Sequence, residues 1–339
     1  MNATNTHDGA RGKILAVAPM MDWTDRHCRF FHRLLAPHAL LYTEMVTAQA
    51  VHHGDRARLL AFRPEEQPVA LQLGGSEARL LAEAARIGED FGYREINLNV
   101  GCPSDRVQEG RFGACLMAEP RLVRDLVGVM ARVVSIPVTV KCRIGIDDQD
   151  EERDFEAFVA TVAEAPCATF IVHARKAWLK GLSPRENREI PPLNYERVHQ
   201  LKRRHPELTV VINGGIASMA AVREQLGKVD GVMLGRAAYH MPWLLTEIER
   251  DLFGWEGVPD DRAQVVARME GYAAEEVARG VPLNQITRHM LGLFHGRPGG
   301  RHWRRILTEG VARNGWDRAI LARALAEVSR YQRLPEAAE

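Results

Sequence analysis

The repeated alternation of short β-rich segments with longer helical patterns most constrains the fold of this chain. Eight segments are near-continuous runs of Val, Ile and Leu, as is typical of parallel strands buried on both faces. They are residues 14–20, 40–45, 69–74, 95–100, 138–144, 169–174, 209–214 and 231–235. Residues 77–90 and 120–134 are examples of the helical spacers. Eight strands alternating with helices predict an α/β fold, a (β/α)8 TIM barrel.

A doubly wound open sheet is the alternative to the barrel. Such sheets usually carry a G-x-G-x-x-G turn after the first strand, whereas this first strand ends in Ala-Pro-Met at residues 18–20. We therefore predict a barrel at residues 13–254, after a disordered tail at residues 1–12. No strand follows the Gly- and Pro-containing linker, but four helical patterns do, at residues 261–280, 282–295, 301–314 and 317–334. They predict a small all-α helical bundle domain at residues 255–335.

Composition excludes several classes of protein. The chain has 46% apolar and 26% charged residues, which is ordinary for a soluble enzyme. Its longest purely apolar run, residues 14–21, falls far short of the about twenty residues of a membrane helix, and the polar start lacks the core of a secretory signal. None of the five cysteines forms a C-x-x-C pair. We expect no membrane association, no metal site and a cytoplasmic location.

The net charge of +1 conceals two basic stretches. Residues 174–205 hold nine basic and three acidic residues, a net of +6, and residues 285–318 hold seven and two, a net of +5. Two such patches on a nearly neutral protein can attract a polyanion. Solvated helix faces are the alternative explanation.

Polar residues recur where the predicted strands end, which is where barrel enzymes place their active sites. Because unpaired buried polar groups are costly, their convergence on one mouth favours a functional site. They are Gln72, Asn97, Asn99, Lys141, Arg143, His173, Arg175, Asn213 and Arg236.

Glycines follow the last two predicted strands and suggest a phosphate site. Asn213-Gly214-Gly215 precedes a predicted helix, and Gly235-Arg236 closes the eighth strand. Glycine allows close backbone approach, and the loops after strands seven and eight are the usual phosphate site of barrels. Arg236 could add a bidentate contact. The pattern predicts a phosphorylated cofactor or substrate.

Two further side chains could carry chemistry. Lys141 lies in an otherwise apolar strand, where it could stabilise negative charge on a reduced flavin, form a Schiff base, or face outward as a structural residue. Cys102 lies in a polar loop, residues 101–113, that could move as a lid. A thiol is mostly protonated at neutral pH and can donate a proton. A buried, inert thiol is the alternative.

Taken together, these motifs resemble the tRNA-dihydrouridine synthases, and the resemblance extends over residues 14–330. The matching stretches are residues 18–25 (APMMDWTD), 72–75 (QLGG), 95–103 (EINLNVGCP), 141–143 (KCR), 173–175 (HAR) and 213–215 (NGG). Further stretches are similar to the A-type subfamily. These are residues 182–193 (LSPRENREIPPL), 286–294 (ITRHMLGLF) and 302–305 (HWRR).

The resemblance implies an FMN-dependent enzyme that uses NADPH or NADH to reduce the C5–C6 bond of uridine in the tRNA D-loop, at position 20 and also 20a. It implies a monomer with a flavin-binding barrel and a helical tRNA-binding domain. Cys102 takes the place of the proton donor. The implied FMN contacts are Ala18, Pro19, Met20, Gln72, Lys141, His173, Asn213, Gly214, Gly215, Gly235 and Arg236. The implied tRNA contacts are Asn99, Arg185, Arg188, Arg301 and Arg304.

Two other functions compete with this expectation. A flavin barrel that reduces a small molecule would explain the barrel but not the basic stretch at residues 297–305. A non-catalytic tRNA-binding protein would explain the basic stretches but would leave Cys102, Lys141 and the glycines at 214 and 215 without a role.

Overall fold

A computed structural model describes residues 12–254, 257–317 and 319–332, and it contains nine strands. They are β1 (Ile14–Val17), β2 (Leu40–Tyr42), β3 (Val46–Thr47), β4 (Val69–Gly74), β5 (Glu95–Val100), β6 (Val138–Arg143), β7 (Thr169–His173), β8 (Thr209–Asn213) and β9 (Gly231–Leu234). Each of the eight predicted strands is confirmed, and the eight strands other than β3 lie within their predicted segments. Only the two-residue β3 was not predicted.

Eight of the strands close into a parallel barrel. β1 pairs with both β2 and β9, β2 pairs with β4, and each strand from β4 to β9 pairs with the next. β3 pairs with β4 alone and lies outside the ring. The closure confirms the (β/α)8 barrel and shows that the open-sheet alternative was wrong.

Helices surround the barrel and continue beyond it. Those up to residue 254 are α1 (Arg26–Leu35), α2 (Ala48–His53), α3 (Arg56–Leu59), α4 (Ala78–Asp90), α5 (Asp105–Glu109), α6 (Pro120–Ala131), α7 (Arg153–Val162), α8 (Tyr195–Arg204), α9 (Met219–Leu226), α10 (Arg236–His240) and α11 (Trp243–Phe253). Those beyond it are α12 (Arg262–Ala278), α13 (Asn284–Thr287), α14 (Gly300–Arg305), α15 (Val311–Arg313) and α16 (Ile320–Gln332). None of the described helices is long and apolar enough to cross a membrane.

The barrel interior is divided into an apolar and a polar part. A separate small apolar cluster fills one part with side chains from β1, β2, β4 and β7 to β9. The other part is lined by polar residues on alternate positions of β4, β5 and β6, so that Gln72, Asn97 and Thr139 lie side by side in register. Polar groups therefore run from the barrel interior to the carboxyl ends of these strands.

The C-terminal helical region, residues 262–332, differs in one place from its predicted pattern. Residues 282–295 were predicted as one helix, but only α13 and a 3-10 turn at Arg288–Met290 form. Gly292 packs so tightly on the barrel that a Cβ there would lie 2.4 Å from the His240 carbonyl oxygen. Trp303 of α14 is fully buried, and its indole N–H donates to the Met290 carbonyl at 2.8 Å.

One buried carboxylate fastens the C-terminal helical region to the barrel. Glu276 of α12 accepts from Arg26 and Arg63 at 2.6 Å each and from Arg279 at 2.9 Å. Its side chain is fully buried, and the arginines hold the pKa of its carboxyl below the ordinary value although burial raises it. Tyr272 stacks on Phe30 of α1 beside this cluster, with ring centroids 4.0 Å apart.

Parts of three predicted segments lie outside the described residues. They are the N-terminal tail except Gly12, positions 255 and 256 of the linker, and, in the helical domain, position 318 and the end from residue 333. The exact boundaries of the two predicted domains stay a prediction.

Candidate functional site

Lys141 and Asn213 meet at the carboxyl ends of β6 and β8. The Lys141 Nζ donates to the Asn213 Oδ1 at 3.1 Å, and the Asn213 Nδ2 donates to the Met233 carbonyl at 2.7 Å. Lys141 therefore turns into the barrel mouth, which rules out the outward-facing alternative. Burial, and secondarily the nearby Arg143, lower the pKa of Lys141 to about 8. No carboxylate pairs with it among the described residues, so the site can take an electron-rich group.

Gly214 and Gly215 form a close-fitting cradle after β8. Both have positive φ, +118° and +68°. A Cβ on Gly214 would lie 2.8 Å from the His173 Cδ2, and one on Gly215 would lie 2.6 Å from the Leu193 Cδ1. The Tyr195 hydroxyl donates to the Gly214 carbonyl at 2.7 Å and holds the turn in place. The space therefore requires glycine at both positions.

His173 lies beside this cradle as a neutral imidazole. Burial holds its pKa well below the ordinary value, and the cationic Arg143 and Lys141 lower it further. Within the described parts of the chain its ring has no hydrogen-bond partner. A neutral ring can donate one hydrogen bond and accept another, so His173 is free to bind a ligand at the mouth.

The ends of β1 and β9 lie together on the same side. The Ala18 N–H donates to the Leu234 carbonyl at 2.8 Å. A Cβ on Gly235 would lie 3.9 Å from the Ala18 Cβ and 4.0 Å from the Met20 Sδ. Pro19, between Ala18 and Met20, is half-buried. The fold thus brings together these four residues, which were predicted separately on the first and last strands.

Cys102 is half-buried directly beyond β5, and the backbone around it is fixed by neighbours. The Asn99 Oδ1 accepts from the N–H groups of Gly101 at 3.1 Å and Cys102 at 2.9 Å. The Arg143 Nε donates to the Gly101 carbonyl at 3.0 Å. Asn99, a predicted tRNA contact, is only 8% exposed, and one of its amide hydrogens is left for a ligand. Cys102 is therefore presented from a well-defined turn.

The segment that was predicted as a lid contains α5. The Gln108 Nε2 donates at 2.9 Å to both the Pro103 carbonyl and the Leu179 carbonyl. It thereby links the Cys102 loop to the loop after β7. Opening of the loop as a lid would break the contact with Leu179.

Basic side chains border the mouth on the loop after β7 and at the start of α10. Arg236 pairs with Glu189 at 2.6 Å, and Arg185 lies 3.9 Å from the same carboxylate. Arg188 is exposed and has no ion-pair partner among the described residues. Partial desolvation of its guanidinium, and secondarily the positive charge of Arg236, lower the pKa of Arg188. One carboxylate faces several arginines, so this edge can accept additional negative charge.

Arg301 and Arg304 lie exposed on α14, as the sequence predicts. Neither has an ion-pair partner in the portion of the chain that the structure describes. Trp303 between them points into the helical core. The pair is therefore available to bind phosphate groups.

Several supporting residues were not predicted as part of the site. Thr139 and Glu95 belong to period-two polar patterns, Glu95-Asn97-Asn99 and Thr139-Lys141-Arg143, that mark one face of each strand. That alternation could have identified them. Tyr195 lies far from Gly214 in the sequence, and no local pattern relates the two.

No group of three or more His, Cys, Asp or Glu residues in the described ranges could hold a metal ion.

Comparison with known proteins gives one consistent result. Residues 16–329 match the family model described as dihydrouridine synthase. A tRNA-dihydrouridine(20/20a) synthase from Synechocystis sp. is 59% identical over 297 residues, which are 88% of this chain and 89% of the relative. The protein of that name from Vibrio cholerae is 55% identical over 321 residues, 94% of this chain and 98% of the relative. The one from Xanthomonas campestris is 58% identical over 302 residues, 89% of each chain.

A solved structure supports the fold alone. A complex of 2-naphthoyl-CoA reductase with 2-naphthoyl-CoA superposes with a TM-score of 0.56 at 8% sequence identity. The match covers 70% of this chain and spans half of the length of that reductase.

Proposed function

This chain belongs to the dihydrouridine synthase family, and from that membership we propose that it reduces D-loop uridine 20, and also 20a, of tRNA to 5,6-dihydrouridine. The match over residues 16–329 and the high identity to synthases of that specificity support the substrate. The observation that carries the chemistry is the meeting of Cys102, Lys141 and the Gly214-Gly215 cradle at one barrel mouth.

FMN fits the residues at this mouth. The turn at Gly214 and Gly215 packs closely on His173 and Leu193 at the carboxyl end of β8, where barrel enzymes commonly bind a phosphate group. Lys141 offers a cation without a carboxylate partner among the described residues, and the neutral His173 offers an unused ring. We assign the FMN contacts to the residues at the ends of six strands. They are Ala18, Pro19, Met20, Gln72, Lys141, His173, Asn213, Gly214, Gly215, Gly235 and Arg236.

When bound at this mouth and reduced by NADPH, FMN would supply the hydride that adds to C6 of the uracil. The protein supplies the proton for C5, and Cys102 is the donor because its half-buried thiol stands beside the mouth. Hydride and proton together saturate the C5–C6 bond. The Lys141 ammonium stabilises negative charge near the ring, and Asn99 holds the Cys102 loop while its remaining amide hydrogen faces the RNA.

The tRNA is held by the two basic patches. Arg185 and Arg188 contact it after β7, and Arg301 and Arg304 contact it on α14. Residues 13–254 then form the catalytic domain and residues 255–335 the tRNA-binding domain of a cytoplasmic, monomeric enzyme. The target uridine must leave its stack to reach the site, which costs a few kcal/mol. A loop-borne base is therefore preferred over a base in a helix.

The experiment compares tRNA from a strain that lacks the gene with tRNA from the same strain carrying wild-type or Cys102→Ala protein. We expect dihydrouridine at positions 20 and 20a to disappear on deletion and to return with wild type only. Flavin absorbance of the purified protein separates the rival functions. A yellow protein whose deletion leaves tRNA dihydrouridine unchanged would be a small-molecule reductase, and a colourless one would be an RNA-binding protein.

A further inference from the structure

A chain of hydrogen-bonded polar side chains begins deep in the barrel at Glu95. The Glu95 Oε1 accepts from the Tyr42 hydroxyl at 2.5 Å and from the Thr139 hydroxyl at 2.7 Å. The Thr139 Oγ1 in turn accepts from the Asn97 Nδ2 at 2.8 Å. Thr139 has a single hydroxyl hydrogen, which it gives to Glu95, so towards Asn97 it can only accept.

The same chain continues upward to the loop that carries Cys102. The Asn97 Oδ1 accepts from the Gln72 Nε2 at 2.8 Å, and the Gln72 Oε1 accepts from the Asn99 Nδ2 at 2.8 Å. The Asn99 Oδ1 accepts from the backbone N–H groups of Gly101 and Cys102. We call the five side chains Glu95, Thr139, Asn97, Gln72 and Asn99 the polar chain.

Every hydrogen bond of the polar chain has its donor on the side of the mouth, because the polar chain begins at backbone donors and ends at a carboxylate acceptor. The backbone N–H groups at the top can only donate, and the Glu95 Oε1 at the base accepts whether or not the other carboxyl oxygen carries a proton. Between such ends, three carboxamides have only one orientation in which every contact joins a donor to an acceptor. Reversal of any one amide would set two oxygens or two N–H groups against each other.

We infer that Glu95 and Thr139 are positioning residues that fix, through the polar chain, the orientation of the Gln72 and Asn99 amides and the position of the Cys102 backbone. This inference rests on the proposed function for its catalytic consequence. Gln72 presents its amide to the proposed flavin, and Asn99 holds the turn of the proposed proton donor. Two residues at the base and middle of the barrel thereby set the geometry at its mouth.

The energetics favour a chain that acts as a unit. All five side chains are buried, and Thr139 is 1% exposed. Water is therefore a poor substitute for a lost partner, and a buried polar group without one is costly. Buried networks of this kind couple their members more strongly than single bonds do. Removal of the Thr139 hydroxyl leaves the Asn97 amide without its acceptor and releases the orientation of the amides above it.

The test is the substitution Thr139→Val, which exchanges a hydroxyl for a methyl group of similar size. Labelling with 15N-cysteine gives one backbone amide signal for each of the five cysteines. In the flavin-loaded enzyme we expect hydrogen exchange at the Cys102 amide to accelerate about tenfold, as expected for the loss of one hydrogen bond. Exchange at the Cys142 amide in β6 should stay unchanged. Single-turnover reduction of tRNA should slow about tenfold.

Two matched variants separate positioning from loss of stability. Thr139→Ser restores the hydroxyl and should return both the exchange rate and the turnover towards wild type. Thr246→Val removes another fully buried hydroxyl, which donates to the Leu35 carbonyl at 3.3 Å away from the mouth. It should lower the melting temperature without changing exchange at Cys102. Unchanged exchange at Cys102 in Thr139→Val, or failure of Thr139→Ser to restore it, overturns the inference.

A second pair of variants addresses the acceptor end if Thr139→Val does not fold. Glu95→Gln keeps an oxygen for Thr139 and should preserve slow exchange at Cys102, whereas Glu95→Met removes it and should accelerate exchange. Equal exchange in the two variants would also overturn the inference. The exchange measurement needs no RNA, so it tests the positioning role of Glu95 and Thr139 independently of the reaction. A wild-type protein that forms no dihydrouridine would refute the proposed function alone.

Discussion

Replacement of Gly214 by alanine is expected to weaken FMN binding about tenfold. The new Cβ would lie 2.8 Å from the His173 Cδ2 and 3.0 Å from the Leu193 Cδ2. Carbon atoms pack at about 3.5–4.0 Å, so His173 must move by roughly 0.7 Å or more. The backbone cannot easily yield, because the Tyr195 hydroxyl holds the Gly214 carbonyl at 2.7 Å. If His173 moves by that distance, its proposed hydrogen bond to FMN is lost. The loss of one hydrogen bond corresponds to about a tenfold lower affinity.

The same substitution carries a second cost that does not depend on flavin. Gly214 has φ +118°, a value that residues with a side chain rarely adopt, and such backbone strain costs an alanine about 1–3 kcal/mol. Gly280→Ala is the matched control, because Gly280 has φ +88° and no atom lies within 4 Å of its added Cβ. Both variants should melt a few degrees below wild type. Only Gly214→Ala should bind FMN more weakly when the apoprotein is titrated and flavin fluorescence is measured.

Two results would refute this reasoning. If Gly214→Ala bound FMN with wild-type affinity, the cradle would not border the flavin. If Gly280→Ala weakened FMN binding equally, the effect would come from general loss of stability rather than from displacement of His173.

Three further predictions concern the proposed proton donor, the proposed RNA patch and the partly buried Lys141. In a stopped-flow assay, Cys102→Ala should retain FMN but reduce tRNA about a hundredfold more slowly. Cys115→Ala is the control, because it removes a thiol that donates to the Phe112 carbonyl, and its rate should be normal. Arg301→Ala combined with Arg304→Ala should weaken tRNA binding and lower its log–log salt slope by about one to two units, without changing flavin reduction by NADPH. Lys141→Met should stabilise the apoprotein at pH 7. Burial lowers the pKa of Lys141 to about 8 from 10.5, so the folded protein holds the charged lysine at a cost. In denaturant titrations, the increase in the free energy of unfolding should therefore be full below about pH 8 and should vanish as the pH approaches 10.5.

Each of these predictions has an outcome that contradicts it. A Cys102→Ala enzyme with the wild-type rate would place the proton donor elsewhere. For the RNA patch, Arg121→Ala with Arg132→Ala removes two exposed arginines at the ends of α6 and should leave the salt slope unchanged. An equal change in both double variants would indicate nonspecific charge attraction. A stability gain in Lys141→Met that did not vary with pH would show that packing, not the desolvated charge of Lys141, is responsible.

The barrel could be predicted from the sequence because its strands are buried on both faces. Such strands contain few polar residues, so those that interrupt them are conspicuous, and Gln72, Asn99, Lys141 and Asn213 were identified in that way. The opposite faces of α14 could also be predicted, because a helix that packs on one face leaves the other exposed. Arg301 and Arg304 share the exposed face, and Trp303 lies on the buried one.

Other features depend on contacts between residues distant in sequence, which local patterns do not contain. The break at Gly292 follows from its contact with His240. The ion pair of Arg236 with Glu189 joins residues 47 positions apart. The polar chain needs the register of β4, β5 and β6, which only the assembled barrel supplies.

The ion pairs of Glu276 connect the barrel rigidly to the helical region that carries Arg301 and Arg304. To swing one part against the other would strip arginines from a fully buried carboxylate, at a cost of about 3–5 kcal/mol. The proposed enzyme therefore holds its two basic patches, Arg185 with Arg188 and Arg301 with Arg304, at a constant distance from each other. If both patches bind the tRNA as proposed, the tRNA must adapt to their spacing, and substrates would be distinguished by how readily each D-loop brings its uridine to the barrel mouth.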